Sequence, residues 1–162
     1  MAVILVGIGE YKISRNGFNQ IKTMALGSCV AVTFYYPSMP LGGMIHIALP
    51  DSSINRNKAL MKPGYFADSG LKAFYTKFKK NIKDFEKKKL IVKIAGGASV
   101  MDSNSTFNIG KRNIAAIKKI LAQYRLPIVA IDVGKMISRT VTLDLKNGSF
   151  LVSSPKKGKW YI

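Results

Sequence analysis

Two apolar runs early in the chain, separated by a proline-containing break, constrain its fold more than any other feature. Residues 30–36 are β-branched and aromatic, and residues 44–49 are apolar apart from one histidine. Short apolar runs of this kind predict buried strands. The segment 37–40, which begins and ends with proline, predicts a break between them, and Gly42-Gly43 is expected to lead into the second strand. We therefore expect two neighbouring strands in the middle of a sheet.

Weaker patterns predict the other strands. Residues 139–145 and 149–152 flank an Asn-Gly pair, and Asn-Gly between apolar runs is a strong signal for a hairpin. Three more apolar runs, 2–7, 90–95 and 128–132, are expected to form strands, and a short strand is expected near 11–14. Residues 153–162 are predicted to form a basic, loosely held tail that Trp160 anchors.

Two helices are expected, at roughly 65–80 and 109–124, because apolar residues recur there three and four positions apart. Asn108 is the predicted N-cap of the second helix. The polar segment 51–64 between strand and helix is predicted to be a loop. The order of elements indicates an α/β fold, a single-domain layered sandwich of mixed, largely antiparallel β-sheet with two main helices.

The chain is strongly basic. It has 26 Lys plus Arg against 8 Asp plus Glu, a formal net charge of +18. Such a charge predicts attraction to nucleic acid, anionic lipid or an acidic protein, although a solvated lysine-rich surface explains it equally well. The densest basic runs, 77–80 and 87–89, carry no nucleic-acid-binding motif. Nucleic-acid binding is therefore an alternative that rests on charge alone.

Cysteine and histidine counts limit the chemistry. Cys29 is the only cysteine and His46 the only histidine, so an intrachain disulfide is excluded and a metal site is not expected. The apolar opening, residues 1–7, is too short to span a bilayer and lacks the basic segment of a signal peptide. We expect a cytoplasmic protein without cofactor and without direct insertion into a membrane.

Cys29 and His46 are the candidate catalytic pair. Cys29 follows Gly27-Ser28, where a glycine permits a tight turn before a strand, and the N–H groups of this turn are candidate oxyanion donors. His46 lies on the neighbouring strand, where its imidazole can take the thiol proton. From the residue types alone the simpler alternative stays open, since single cysteines are commonly small buried hydrophobes and lone histidines are commonly structural.

The segments Thr23–Val32 and Gly42–Pro50 resemble the signature of the chemoreceptor glutamine deamidases of bacterial chemotaxis, the CheD family. Weaker matches extend this resemblance over nearly the whole chain: Val6–Tyr11, Tyr65–Asp68, Lys93–Ala98 and Ile109–Ile114. The resemblance implies one glutamine deamidase-like domain over residues 1–162. It also implies Cys29 as nucleophile, His46 as general base and Thr23 as the group that orients the imidazole.

The same resemblance implies a reaction and two partners. The reaction is hydrolysis of glutamine side chains of methyl-accepting chemoreceptors to glutamate, without a cofactor, and a receptor methyl ester would follow the same chemical path. The partners are the cytoplasmic domain of the receptor and a chemotaxis phosphatase of the CheC type. A regulatory binding module that stimulates this phosphatase remains the alternative. Lys135 and Ser138 stand where the family has glycines, which leaves the shape of that loop open.

Overall fold

The computed structural model describes residues 1–99 and 108–162, and this part of the chain contains ten strands and three α-helices. The strands are β1 (Val3–Leu5), β2 (Tyr11–Ser14), β3 (Gln20–Leu26), β4 (Val30–Tyr36), β5 (Leu41–Ile47), β6 (Ile91–Gly96), β7 (Ile128–Val133), β8 (Arg139–Asp144), β9 (Phe150–Ser154) and β10 (Gly158–Tyr161). The helices are α1 (Arg56–Met61), α2 (Ala67–Lys79) and α3 (Ile109–Gln123). None of them is long and apolar enough to cross a membrane.

The strands form two five-stranded sheets. The order in the first, called sheet I here, is β1-β3-β8-β9-β10, and the order in sheet II is β2-β5-β4-β6-β7. The pairs β1–β3 and β6–β7 are parallel and the other neighbours are antiparallel. The predicted sandwich of mixed, largely antiparallel sheet with two main helices is confirmed.

The central strand β4 is buried along its whole length, as its sequence predicted. Val30, Val32 and Phe34 face the layer formed by α2 and α3, where the Phe34 ring stacks on that of Phe74 with centroids 4.4 Å apart. Ala31 and the other alternate side chains face sheet I. Because both faces of β4 are covered, the strand is a rigid base for the residues that precede it.

Gly42 and Gly43 have a different role from the one predicted. They do not lead into β5 but lie inside it, paired with β2 and β4. A Cβ atom on Gly42 would collide with the Leu145 side chain, and one on Gly43 would lie 2.8 Å from the Phe74 ring. The two glycines therefore allow close packing on both faces of sheet II rather than a turn.

Three regular elements were not predicted from the sequence. Strand β3 buries the polar Thr23 and leaves the apolar Met24 and Ala25 exposed, so its sequence lacks a regular apolar–polar alternation. Helix α1 lies in the predicted loop and buries no residue, so it has no apolar face to detect; Asn55 caps it by accepting the Lys58 N–H. In place of a loosely held tail, β10 pairs with β9, and the Trp160 Nε1–H donates to Asp132.

The start of α3 also differs from the prediction. Asn108 occupies the N-cap position, but its φ of +40° is left-handed and its side chain caps no helix N–H. Its Oδ1 instead accepts a hydrogen bond from the Ser99 hydroxyl at 3.4 Å. The predicted helix is thus confirmed and the predicted capping contact is wrong.

A buried ion pair joins the two sheets at one end. Arg139 on β8 is fully buried, and its Nε donates to Asp132 on β7 at 2.9 Å. Its Nη1 also donates to the Gly134 carbonyl oxygen at 2.9 Å. Trp160 donates to the same carboxylate, so side chains of β8 and β10 both bind Asp132 of β7. Removing one member would leave an uncompensated buried charge, so this end of the sandwich is fixed.

The loop around Lys135 keeps a backbone shape that suits glycine. Lys135 has a φ of +60°, and its carbonyl oxygen accepts the Ser99 N–H at 2.8 Å. The Gly134 N–H donates to the Gly96 carbonyl oxygen at 2.9 Å. The loop is thus held in its left-handed conformation by neighbouring backbone, although a lysine occupies the position.

We predict that Lys135→Gly stabilises the protein by up to about 1 kcal/mol, because relief of left-handed strain exceeds the extra freedom that glycine gives the unfolded chain. Urea unfolding measures the change. The matched control is Met136→Gly, at the next exposed position, where φ is not positive and no gain is expected. Equal effects of the two substitutions would contradict the prediction.

Candidate active site

A hydrogen bond between the two sheets forms the centre of the site. Thr23 lies on β3 of sheet I and His46 on β5 of sheet II, and the Thr23 Oγ1 is 2.7 Å from the His46 Nδ1. Thr23 is 1% and His46 2% exposed. The bond is therefore shielded from water, which makes it electrostatically stronger than one at the surface.

The hydroxyl of Thr23 fixes the tautomer of the imidazole. Its single proton is donated to the Val6 carbonyl oxygen, also at 2.7 Å. The hydroxyl must then accept from His46, so the Nδ1 carries a proton and donates it to Thr23. It follows that the Nε2 of the neutral ring presents a lone pair.

The free nitrogen of His46 is ready to accept a proton. Among the residues that the structure describes, Nε2 has no hydrogen-bond partner, and it is buried. Burial lowers the pKa of His46 to about 4, because the charged ring is poorly solvated in the interior. At neutral pH the imidazole is therefore uncharged and can act as a base.

Cys29 lies directly before β4. The register of β4 and β5 pairs Ala31 with His46. Alternation along the strand then puts Cys29 on the same face as Ala31, diagonally across from His46, a separation that side chains can bridge. Cys29 packs against the same apolar cluster as Ala31, which agrees with this placement.

The thiol of Cys29 is half-buried, and burial raises its pKa. No hydrogen bond joins its Sγ to the His46 Nε2 in this structure. Contacts between nucleophile and base are commonly loose in an enzyme without substrate and tighten in the complex. The structure thus brings Cys29 and His46 to neighbouring positions without a hydrogen bond between them.

The cysteine loop, defined here as residues 27–29, is held in place through its own three backbone carbonyl groups. The carbonyl oxygens of Gly27 and Cys29 accept the N–H groups of Ala98 and Gly97, each at 2.8 Å. The carbonyl oxygen of Ser28 accepts from the Asn113 Nδ2 at 3.0 Å. The loop that was predicted to supply oxyanion donors, Gly27-Ser28, is therefore anchored by the turn after β6 and by α3.

Two glycines permit this anchoring: Gly96, the last residue of β6, and Gly97, which follows it. Gly96 and Gly97 have φ angles of +117° and +68°, which side chains rarely adopt. A Cβ atom on Gly96 would also collide with the Cys29 carbonyl oxygen. Both glycines are needed for the backbone of this turn to approach the cysteine loop.

Sequence reasoning missed two contributors to the site. Val6 contributes only its carbonyl group, so no side-chain pattern could reveal it. Asn113 left a signal, because it is a polar residue on the helix face that also carries the buried Ile117 and Leu121. Within residues 1–99 and 108–162, no group of three or more His, Cys, Asp and Glu side chains could hold a metal ion.

A thiol next to an imidazole whose other nitrogen is held by a third group is the arrangement that thiol-dependent acyl-transfer enzymes share. The chain belongs to the CheD family, as the resemblance of its sequence indicated. The family model described as CheD chemotactic sensory transduction matches residues 48–154.

Full-length relatives extend this match to the candidate site. A probable chemoreceptor glutamine deamidase CheD of Syntrophotalea carbinolica is 47% identical over 162 residues, covering 100% of both chains. The probable chemoreceptor glutamine deamidase CheD 1 of Syntrophus aciditrophicus is 39% identical over 158 residues, 95% of each chain. The chemoreceptor glutamine deamidase CheD of Thermotoga maritima is 39% identical over 148 residues, 91% of this chain and 89% of that protein.

We predict that His46 makes the folded protein lose stability as pH falls from about 6.5 to about 4. The unfolded chain binds a proton at the ordinary pKa of 6.5, whereas the buried ring resists protonation until about pH 4. The unfolded state therefore binds more protons than the folded state in this window. The part of the free energy of unfolding that is due to His46 is complete above pH 6.5. It is lost progressively below that pH, by roughly 3 kcal/mol in total.

Urea unfolding of the native protein and of His46→Gln, measured between pH 7.5 and 4, isolates this contribution, because the carboxylates titrate alike in both. We expect the difference between the two free energies of unfolding to shift in favour of the variant as pH falls. A difference that does not change with pH would contradict the assigned burial of the ring.

Proposed function

We propose that this protein deamidates glutamine side chains of chemoreceptors, with Cys29 as nucleophile, His46 as general base and Thr23 as the residue that positions the imidazole. The observation that carries the proposal is the Thr23 hydroxyl between the Val6 carbonyl and the His46 ring. That arrangement leaves Nε2 as an acceptor next to the cysteine. Family membership suggests the substrate, since the relatives are named as chemoreceptor glutamine deamidases.

The first half of the reaction transfers the acyl group to the enzyme. The Cys29 sulfur attacks the carboxamide carbon while its proton passes to the His46 Nε2, and the carbonyl electron pair moves to oxygen. The tetrahedral oxyanion accepts hydrogen bonds from N–H groups of the cysteine loop at Gly27-Ser28-Cys29. His46 then protonates the nitrogen, ammonia leaves, and a thioester remains.

The second half returns the enzyme to its starting state. His46 takes a proton from water, and the resulting hydroxide adds to the thioester carbon. Collapse of this intermediate breaks the carbon–sulfur bond, releases the glutamate carboxyl group and returns the proton from Nε2 to sulfur. No cofactor enters either half.

The pKa shifts favour a resting pair in which both groups are neutral. Burial raises the pKa of the Cys29 thiol and lowers that of His46, so the proton stays on sulfur at neutral pH. Proton transfer then accompanies attack rather than preceding it. A neutral thiol is also less open to oxidation or alkylation between turnovers than a thiolate.

The charge of the protein supports an acidic protein partner. A net charge of +18 raises the association rate with an acidic surface such as we expect in a receptor's methylation region. The proposal includes the cytoplasm as the place of action, hydrolysis of receptor methyl esters by the same acyl chemistry, and binding of a CheC-type phosphatase.

We predict that the native protein converts specific glutamines to glutamate in cytoplasmic receptor fragments of the same organism, and that Cys29→Ala does not. Intact and peptide mass spectrometry measure the conversion and locate the glutamine. A circular-dichroism melt establishes that the variant is folded. Equal conversion by both proteins would refute the cysteine mechanism, and no conversion by either would favour the binding-module alternative.

We predict that Thr23→Val lowers the deamidation rate by about 10²-fold or more, because the isosteric valine leaves the imidazole proton without an acceptor and the tautomer without a support. Thr23→Ser keeps the hydroxyl and is the matched control, with a rate close to that of the native protein. The same receptor fragment and mass assay measure both. A native rate in Thr23→Val would show that Thr23 does not position His46.

A further inference from the structure

We propose that Asn113 is a positioning residue that directs the Cys29 N–H group into the oxyanion site. It also connects the cysteine loop to the end of β5, the strand that carries His46. The inference rests on the cysteine mechanism proposed above and concerns a residue outside it. It is carried by the contacts of one buried amide.

Asn113 uses both protons of its side-chain amide on backbone near the site. Its Nδ2 donates to the carbonyl oxygens of Ser28 and Ala48, each at 3.0 Å, and the residue is fully buried. The two acceptors fix the orientation of the amide, because its own oxygen would be repelled by two carbonyl oxygens. One side chain thus joins the residue before Cys29 to a residue two positions after His46.

The first turn of α3 is packed so that Asn113 can reach these groups. Gly110 lies against the turn after β6, where an added Cβ atom would be 2.5 Å from the carbonyl oxygens of Gly97 and Ala98. The same turn donates to the carbonyls of Gly27 and Cys29. The backbone of α3 at Gly110 therefore packs directly on the turn after β6, and the backbone of that turn is bonded to the cysteine loop.

Because the Ser28 carbonyl and the Cys29 N–H belong to one peptide group, the bond to Asn113 also fixes the direction of the Cys29 N–H. In a trans peptide the carbonyl group of one residue and the N–H of the next point in opposite directions. Since the Ser28 carbonyl points to Asn113, the Cys29 N–H points away from α3. The position of this donor is then set by an amide that never touches the substrate.

The direction away from α3 leads to the reacting groups. Ile117 and Leu121 of α3 pack with Val30 on one face of sheet II. Cys29 packs with the cluster on the opposite face, the side on which His46 meets Thr23. The Cys29 N–H therefore points to the side where the carbonyl carbon of a substrate would meet the sulfur, as an oxyanion donor must.

The test compares Asn113→Ala with Ile117→Ala, a matched truncation one turn further along the same buried helix face, where the native side chain has no polar group to bond the cysteine loop. We expect Asn113→Ala to lower kcat for the receptor fragment by about 10²-fold with KM unchanged, the loss typical of a misplaced oxyanion donor. Ile117→Ala is expected to lose stability but to keep kcat. Both are measured well below their melting temperatures.

Alkylation of Cys29 by iodoacetamide separates positioning of the oxyanion from positioning of the thiol, because attack on a methylene carbon develops no oxyanion. We expect its rate and pH profile to be unchanged in Asn113→Ala. A second probe is a receptor peptide with an aldehyde in place of the carboxamide. The Cys29 sulfur adds to its carbonyl carbon, and the thiol proton passes to its oxygen. Its affinity is expected to fall by the same factor as kcat.

Two results would overturn the inference: an unchanged kcat, or alkylation that slows in parallel with turnover. If Asn113→Ala does not fold, Asn113→Asp provides the same test with the shape of the side chain kept. Its carboxylate repels both carbonyl oxygens, so we expect turnover to rise as pH falls from 8 to 5 and the carboxyl group gains a proton to donate. A flat profile in this variant would also count against Asn113. Failure of the Cys29→Ala comparison would instead refute the cysteine mechanism, whatever Asn113 does.

Discussion

The site depends on the two hydrogen bonds of the Thr23 hydroxyl group. This group donates to one backbone carbonyl and accepts from one imidazole, and it spans the two sheets where the core excludes water. Because a hydroxyl has only one proton, the direction of each bond is fixed by the other. The tautomer of His46 and the lone pair on its Nε2 follow from that single proton, and the role of base that we propose for His46 depends on both.

The backbone of the cysteine loop is the second constraint. Its three carbonyls are taken by two N–H groups of the turn after β6 and by the amide of Asn113. Glycines at 96, 97 and 110 let these segments approach to backbone contact. A loop held in this way lies on a rigid scaffold, which gives reacting groups a more precise placement than a free surface loop would.

Burial, rather than the large positive charge, governs the electrostatics of the pair. It raises the pKa of Cys29 and lowers that of His46, and it is the cause of both shifts. The charge of +18 is therefore not what activates the thiol. In the function we propose, its place is the encounter with an acidic protein partner, where long-range attraction acts on the association rate.

The sequence by itself determined the strands around Cys29 and His46, the two main helices and the family, since these depend on local periodicity and on motifs that lie close together in the chain. The strand that carries Thr23, the burial of Arg139 against Asp132 and the contacts of Asn113 were decided only by the tertiary structure. Each of these depends on polar contacts between groups that meet only in the folded chain. A polar residue looks the same in sequence whether it meets water or a buried partner, because only the fold determines which of the two surrounds it.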